Sequence, residues 1–156
     1  MADYDVIVAG GGLAGTITAQ SISHYSNQNL KILVIDRNAE FLPGRKSLAG
    51  WVCGDACSKE AVDFMSERIK VQWTRPEIEH DVKGVMAFAP DNETSIPFDG
   101  AGYMLNRVKL PEIQNERCKK AGVEFEFEIN LTGLIYDGTQ VVGIEGIDKK
   151  KKQPYK

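Results

Sequence analysis

The sequence predicts an α/β fold: a parallel βαβ unit at the N-terminus, then further helices and additional antiparallel strands. Three observations predict it. Tyr4 to Ala9 is a short apolar run that breaks into glycines. Gly10, Gly12 and Gly15 then fill a G-x-G-x-x-G pattern where that run gives way to helical spacing. Leu30 to Ile35 is a β-branched run closing on Asp36, which completes a unit of the expected ~30 residues.

The glycines have separate tasks. The first permits a tight turn, the second lets the backbone approach a pyrophosphate, and the third lets helix and strand pack closely. The N–H groups of the first helical turn, with the positive end of the helix dipole, then face the phosphates. The helix is expected over 13–25, with Gly15, Ala19 and Ile22 on one face. Ser26 to Asn29 is a polar turn. The strand over 30–36 has no polar alternation, which suits a parallel sheet covered on both faces. Asp36 at its end is placed to accept hydrogen bonds from ribose hydroxyls. A carboxylate there repels a 2′-phosphate, so NADP is disfavoured while FAD and NAD both remain.

Residues 38–57 have a loop composition, with Pro43, Gly44, Gly50, Gly54 and two cysteines. So long an irregular stretch in a compact domain points to function. A helix over about 58–69 follows, with Val62, Met65 and Ile69 as its apolar stripe. Strands are expected at Val82 to Ala89 and Thr94 to Phe98, with turns at Pro90-Asp91-Asn92 and Asp99-Gly100. A helix over about 109–121 tolerates Pro111 in its first turn and stops at Gly122. Val123 to Glu128 alternates, so one face is buried and one wet. Leu131 to Tyr136 and Val141 to Ile147 form a hairpin about Asp137-Gly138. Lys149 to Lys152 reads as a solvated turn or frayed end.

The totals exclude several functions. A net charge of −3 gives no basic field for nucleic acid. No run approaches the ~20 apolar residues of a membrane span, and no secretory leader is visible. Three cysteines, an odd count, argue against a disulfide framework and for a reducing cytoplasm. His24 and His80 stand at no metal-ligand spacing, and Cys53 and Cys57 lack a second Cys/His pair, so no metal site is expected. There is no G-x-S-x-G elbow and no Walker lysine.

The glycine motif, Asp36, the string Cys53-Gly54-Asp55-Ala56-Cys57-Ser58-Lys59 and the string Gly102-Tyr103-Met104-Leu105-Asn106-Arg107 together resemble the geranylgeranyl reductase family of FAD flavoproteins. The archaeal digeranylgeranylglycerophospholipid reductases are the most similar members. The resemblance runs over essentially the whole chain. It implies a Rossmann-like FAD-binding domain of the para-hydroxybenzoate hydroxylase type, here truncated. Residues 1–156 would be a partial FAD/NAD(P)-binding domain, made of the βαβ unit 4–36, the cysteine loop 43–59 and the strand–helix–hairpin region 82–148. The substrate domain would be absent.

The resemblance also implies the activity: saturation of prenyl C=C bonds in membrane-lipid biosynthesis, by hydride transfer from reduced flavin. By position, Gly10 and the backbone of Gly12, Leu13, Ala14 and Gly15 would bind the pyrophosphate. Asp36 and Arg37 would bind the ribose end. Cys53, Gly54 and Ala56 would line the flavin, Arg107 would contact the phosphate or ribose region, and Leu131 the adenine end. Cys53 would be the catalytic residue, as proton donor. The partners implied are a prenylated lipid and an electron donor, either ferredoxin or NAD(P)H, with a transient peripheral contact at the membrane. The sequence departs from the family in a longer loop before Cys53 and in Val108-Lys109-Leu110-Pro111 after Arg107. The competing readings are an FAD-dependent monooxygenase or halogenase of the same fold, and a non-catalytic nucleotide-binding module.

Overall fold

The computed structural model describes residues 3–40 and 55–156. The chain divides into two compact units, Met1–Gly44 with Pro111–Lys156, and Arg45–Leu110.

In the first unit, β1 (Val6–Ala9), α1 (Leu13–Tyr25) and β2 (Ile32–Asp36) form the expected βαβ element. β2 is the centre of a three-stranded parallel sheet, flanked by β1 and by β6 (Val123–Phe127). All five residues of β2 are buried, because each face of the sheet is covered. Ile32 and Val34 pack with Ala19, Cys118 and Val123 on the helical side. Leu33 and Ile35 pack with Ile129, Ile144 and Tyr155 on the other. That second cover is an antiparallel sheet of β7 (Ile129–Asp137), β8 (Gln140–Asp148) and β9 (Gln153–Tyr155). The strand without polar alternation is therefore buried on both sides.

The helical layer is α1 with α3 (Lys109–Lys120). Ala19 and Ile22 share one face as expected, and the seam between these helices adds polar residues to it. α1 buries Thr16, Ala19, Gln20 and Ser23, while Ile22 is only partly buried. The polar members are matched across the seam. Gln114 Nε2 donates to Gln20 Oε1 at 2.7 Å, Cys118 Sγ donates to the Thr16 carbonyl at 3.2 Å, and the Ser23 hydroxyl donates to the Ala121 carbonyl. These three bonds offset part of the cost of burying polar groups and fix the rotation of one helix against the other, although Gln114 Oε1 and the Asn115 amide find no partner among the described residues. Burial pushes the Cys118 thiol up to about 12, so it stays protonated and inert at neutral pH.

The second unit is an antiparallel sheet in the order β3 (Ala56–Ser58), β5 (Ser95–Leu105), β4 (Ile78–Phe88), with α2 (Lys59–Ile69). The Ser58 side chain caps α2 by accepting from the Ala61 amide at 3.2 Å, and Lys70 ends the helix in a left-handed conformation. Val62 and Ile69 are buried as expected, and Met65 is half-buried.

Two expectations are corrected here. Asp99-Gly100 is no turn: β5 runs through it, with Asp99 opposite Gly84 and Phe98 opposite Val85. Residues 38–57 are not wholly irregular, since Ala56–Ser58 pairs with Gly102–Met104. Of the two readings of Lys149–Lys152, the solvated turn stands: it joins β8 to β9 and is held by the Asp148 carboxylate, which accepts from the Lys150 and Lys151 amides at 3.0 and 2.8 Å. The expected turn at Pro90-Asp91-Asn92 stands, with Asn92 left-handed and Asp91 Oδ1 accepting from the Glu93 and Thr94 amides. Among the described residues no helix is long and apolar enough to cross a membrane.

Candidate nucleotide site

The site is built where β1 hands over to α1, at the C-terminal edge of the parallel sheet. That edge is where open α/β sheets bind ligands. Gly10 sits at φ +111°, a region that side chains rarely adopt, and its amide donates to the Ile35 carbonyl at 2.8 Å. Gly11 donates its amide to Asp36 Oδ2 at 2.7 Å, in a buried bond. Gly12 is the N-cap of α1 and offers no side-chain cap, and no acidic residue stands in the first turn. The first turn of the helix therefore presents its N–H groups and positive dipole end with no acidic residue of its own, and the Asp36 carboxylate beside them is engaged by the Gly11 amide.

The third glycine closes the motif. A Cβ at Gly15 would lie 1.8 Å from the Gly10 carbonyl oxygen and 3.4 Å from Val8 Cγ1. At Gly12 nothing among the described residues lies within 4 Å of the same added atom. So Gly15 is a packing position, whereas Gly12 faces open space.

Asp36 is 8% exposed and accepts two backbone hydrogen bonds, from Gly11 and, through Oδ1, from Asn38 at 2.7 Å. Each carboxylate oxygen has two lone pairs, so acceptor capacity remains for a ligand. Beside it is a cleft of about 270 Å³ that Gly10, Asp36, Arg37 and Leu131 share with Ile129 and Asn130. The structure thus brings four of the expected residues to one cleft. Leu13, Ala14 and Gly15 lie in the adjoining first turn of α1.

Cys53 and Gly54 are outside the described residues. Ala56 and Arg107 belong to the second unit. There the Arg107 guanidinium Nε lies 3.5 Å from Asp55 Oδ1, an ion pair longer than a good hydrogen bond. Asp55 itself is left-handed, at φ +59°. Ala56 and Cys57 line a second cleft of about 300 Å³ with Val85, Phe98 and Gly102. Cys57 is a free, half-buried thiol, and desolvation pushes it up. Among the described residues no cluster of His, Cys, Asp or Glu could hold a metal.

Sequence reasoning missed Gly11, Asn38 and Asn130. Two of these had a signal. Gly11 makes the motif a run of three glycines, and an Asp followed two residues later by a backbone donor is an ordinary Asx turn. Asn130 had none, since only the register of β7 places it at the cleft.

No protein-family model matches the sequence. The chain is 30% identical over 122 residues to the digeranylgeranylglycerophospholipid reductase of Sulfolobus acidocaldarius, a match covering 78% of this chain and 24% of that protein. Among solved structures it is similar to a geranylgeranyl bacteriochlorophyll reductase-like protein of Thermoplasma acidophilum. The TM-score is 0.70 at 26% identity, over 92% of this chain and 34% of that one. A myxobacterial FAD-dependent chondrochloren halogenase also matches, with TM-score 0.70 at 16% identity over 97% of this chain and 34% of that one, a likeness of fold alone. The chain thus spans between a quarter and about a third of the length of these proteins. In sequence and in fold, it is similar to part of these geranylgeranyl reductase proteins.

Proposed function

We propose that this chain supplies the adenosine and pyrophosphate half of an FAD site, in a flavin-dependent reductase that saturates C=C bonds of prenyl chains on membrane-lipid precursors. One observation carries the reading: a glycine turn locked to a buried carboxylate, beneath an uncapped helix N-terminus with open space over Gly12. FAD fits these residues. Its pyrophosphate is the dianion that the free amides of the first turn of α1 would hold, and its ribose diol suits the remaining lone pairs of Asp36. When bound and reduced, FAD supplies the hydride.

The chain's own residues bind and orient. Gly11 to Gly15 hold the phosphates through backbone N–H groups. Arg107, kept beside Asp55, offers a fixed positive charge to the cofactor. Cys53 holds the proton for the second alkene carbon, a role that rests on its place in the cysteine string. The prenylated lipid is the substrate, and ferredoxin and NAD(P)H both remain as donors.

Two measurements test this. Purified chain mixed with FAD should quench flavin fluorescence saturably, and ADP should compete. A chain that never quenches FAD sinks the proposal. In the enzyme that carries this chain with its substrate portion, Cys53→Ala should slow alkene saturation by about 10²–10⁴, the usual contribution of a positioned acid, with FAD still bound. Unchanged turnover would remove Cys53 from the chemistry.

A further inference from the structure

Asp36 closes β2, and residues 37–40 after it belong to no helix or strand. Its backbone is nevertheless held at successive positions by groups from two distant turns. Asn38 N–H donates to Asp36 Oδ1 at 2.7 Å. The Asn38 carbonyl accepts from the Glu128 amide at 3.1 Å, at the corner between β6 and β7, where Glu128 is left-handed at φ +65°. The Arg37 carbonyl accepts from Lys149 Nζ at 2.9 Å. Lys149 is itself fixed, because its amide donates to the Glu128 carbonyl at 2.8 Å. Glu128 and Lys149 thus grip residues 37 and 38 together.

Lys149 stands apart within its lysine run. Lys151 Nζ pairs with the Asp148 carboxylate at 3.4 Å, while that carboxylate also anchors the turn through two amides. Lys149 alone of the two reaches across to the loop after β2, and it does so to a neutral carbonyl rather than to an acid. A cation on that carbonyl holds the peptide between Asp36 and Asn38. It also adds positive charge next to the cleft that Arg37 lines.

We propose that Lys149 is a positioning residue of the nucleotide site: it clamps the 36–38 loop, so that the Asp36 carboxylate stays aimed at both the glycine turn and the cleft. This rests on the reading of that cleft as the adenosine end of the site. The lysine run then has a purpose that its composition alone did not reveal. Its first member is part of the site's frame, and the others solvate the turn.

The test uses the whole chain, with Lys149→Met, Lys149→Arg and the charge control Lys150→Met. ADP binding is measured by calorimetry, and hydrogen exchange is followed at the Asn38 and Glu128 amides. Loss of one such hydrogen bond should weaken ADP binding roughly three- to tenfold in Lys149→Met and speed exchange at both amides by a similar factor. The melting temperature should fall by only about 1–6 °C, the share of one hydrogen bond. Lys149→Arg should restore both readouts, and Lys150→Met should leave both as in the parent. Parental exchange rates in Lys149→Met overturn the clamp, as does a Lys150→Met variant that loses as much ADP affinity, which would reduce the effect to general charge. If the parent chain binds no ADP, the reading of the cleft fails, and the exchange rates still decide the clamp.

Discussion

Gly15→Ala is expected to break the site by steric overlap, and Gly12→Ala to break it without touching the fold. At Gly15 the new methyl would lie 1.8 Å from the Gly10 carbonyl oxygen. That atom is backbone, and it belongs to a residue whose φ of +111° and hydrogen bond to Ile35 leave no freedom to retreat. Either α1 lifts from β1 or the turn opens. Since α1 also carries the seam to α3, lifting it strains Gln20 and Cys118 as well. A loss of about 3 kcal/mol or more is expected, at the severe end of overpacking. For a chain of this size that lowers the melting temperature by roughly 6–12 °C.

Gly12→Ala is the contrasting case. Gly12 has φ −72°, which alanine adopts freely, and nothing among the described residues lies within 4 Å of its added Cβ. Removing a glycine's freedom from the unfolded chain stabilises by about 0.4–1 kcal/mol, alanine's poorer fit as an N-cap costs about as much, and stability should stay within about 1 kcal/mol of the parent. The methyl would occupy the space through which a pyrophosphate reaches the free amides of α1. ADP and FAD affinity should therefore fall at least about tenfold, a cost on the order of 1.4 kcal/mol. Thermal melts and ADP titration of the two variants separate the effects. If Gly12→Ala binds ADP like the parent, the phosphate does not pass over Gly12. If Gly15→Ala melts like the parent, the close approach of α1 is not a constraint.

What was legible in the sequence follows from which interactions are local. The turn, α1 and β2 were readable because their signals lie within a stretch of about thirty residues. The unbroken apolar run of β2 correctly announced burial on both faces. The polar seam was not legible. Gln20 finds its partner in Gln114, 94 residues away, and no local pattern marks a glutamine as buried. Asp99-Gly100 reads as a turn by composition, yet the cross-strand pairing of Asp99 with Gly84 keeps it extended. There Gly84 is required for close approach, since its Cβ would lie 2.6 Å from the Phe98 carbonyl. At the site, Gly10, Asp36, Arg37 and Leu131 were named from motif and resemblance, and one cleft holds all four. The frame that keeps them there, Asn38, Glu128 and Lys149, depends on contacts between elements far apart in the chain.

Asp36→Asn should cost both stability and nucleotide selectivity, and the two losses have separate causes. The carboxylate is 8% exposed and accepts from two backbone amides, Gly11 and Asn38, each at 2.7 Å. An asparagine can serve only one of them, because its NH₂ would face the other N–H. A buried donor left unmatched costs about 1–3 kcal/mol, and the Gly11 amide is in the buried bond. The glycine turn would loosen on one side, which weakens binding of any nucleotide. Selectivity changes through charge. A carboxylate at the ribose repels a 2′-phosphate, and the neutral amide does not. The parent should favour ADP over adenosine 2′,5′-bisphosphate strongly, and Asp36→Asn should narrow that preference even as its ADP affinity falls. Asp36→Ala, which also removes the acceptor for Asn38, should melt lower still. Titrating both nucleotides against all three proteins checks this. A parent chain indifferent to the 2′-phosphate, or an Asp36→Asn variant with an undiminished preference for ADP, would detach Asp36 from the ribose and leave it only the structural duty of tying Gly11 to the end of β2.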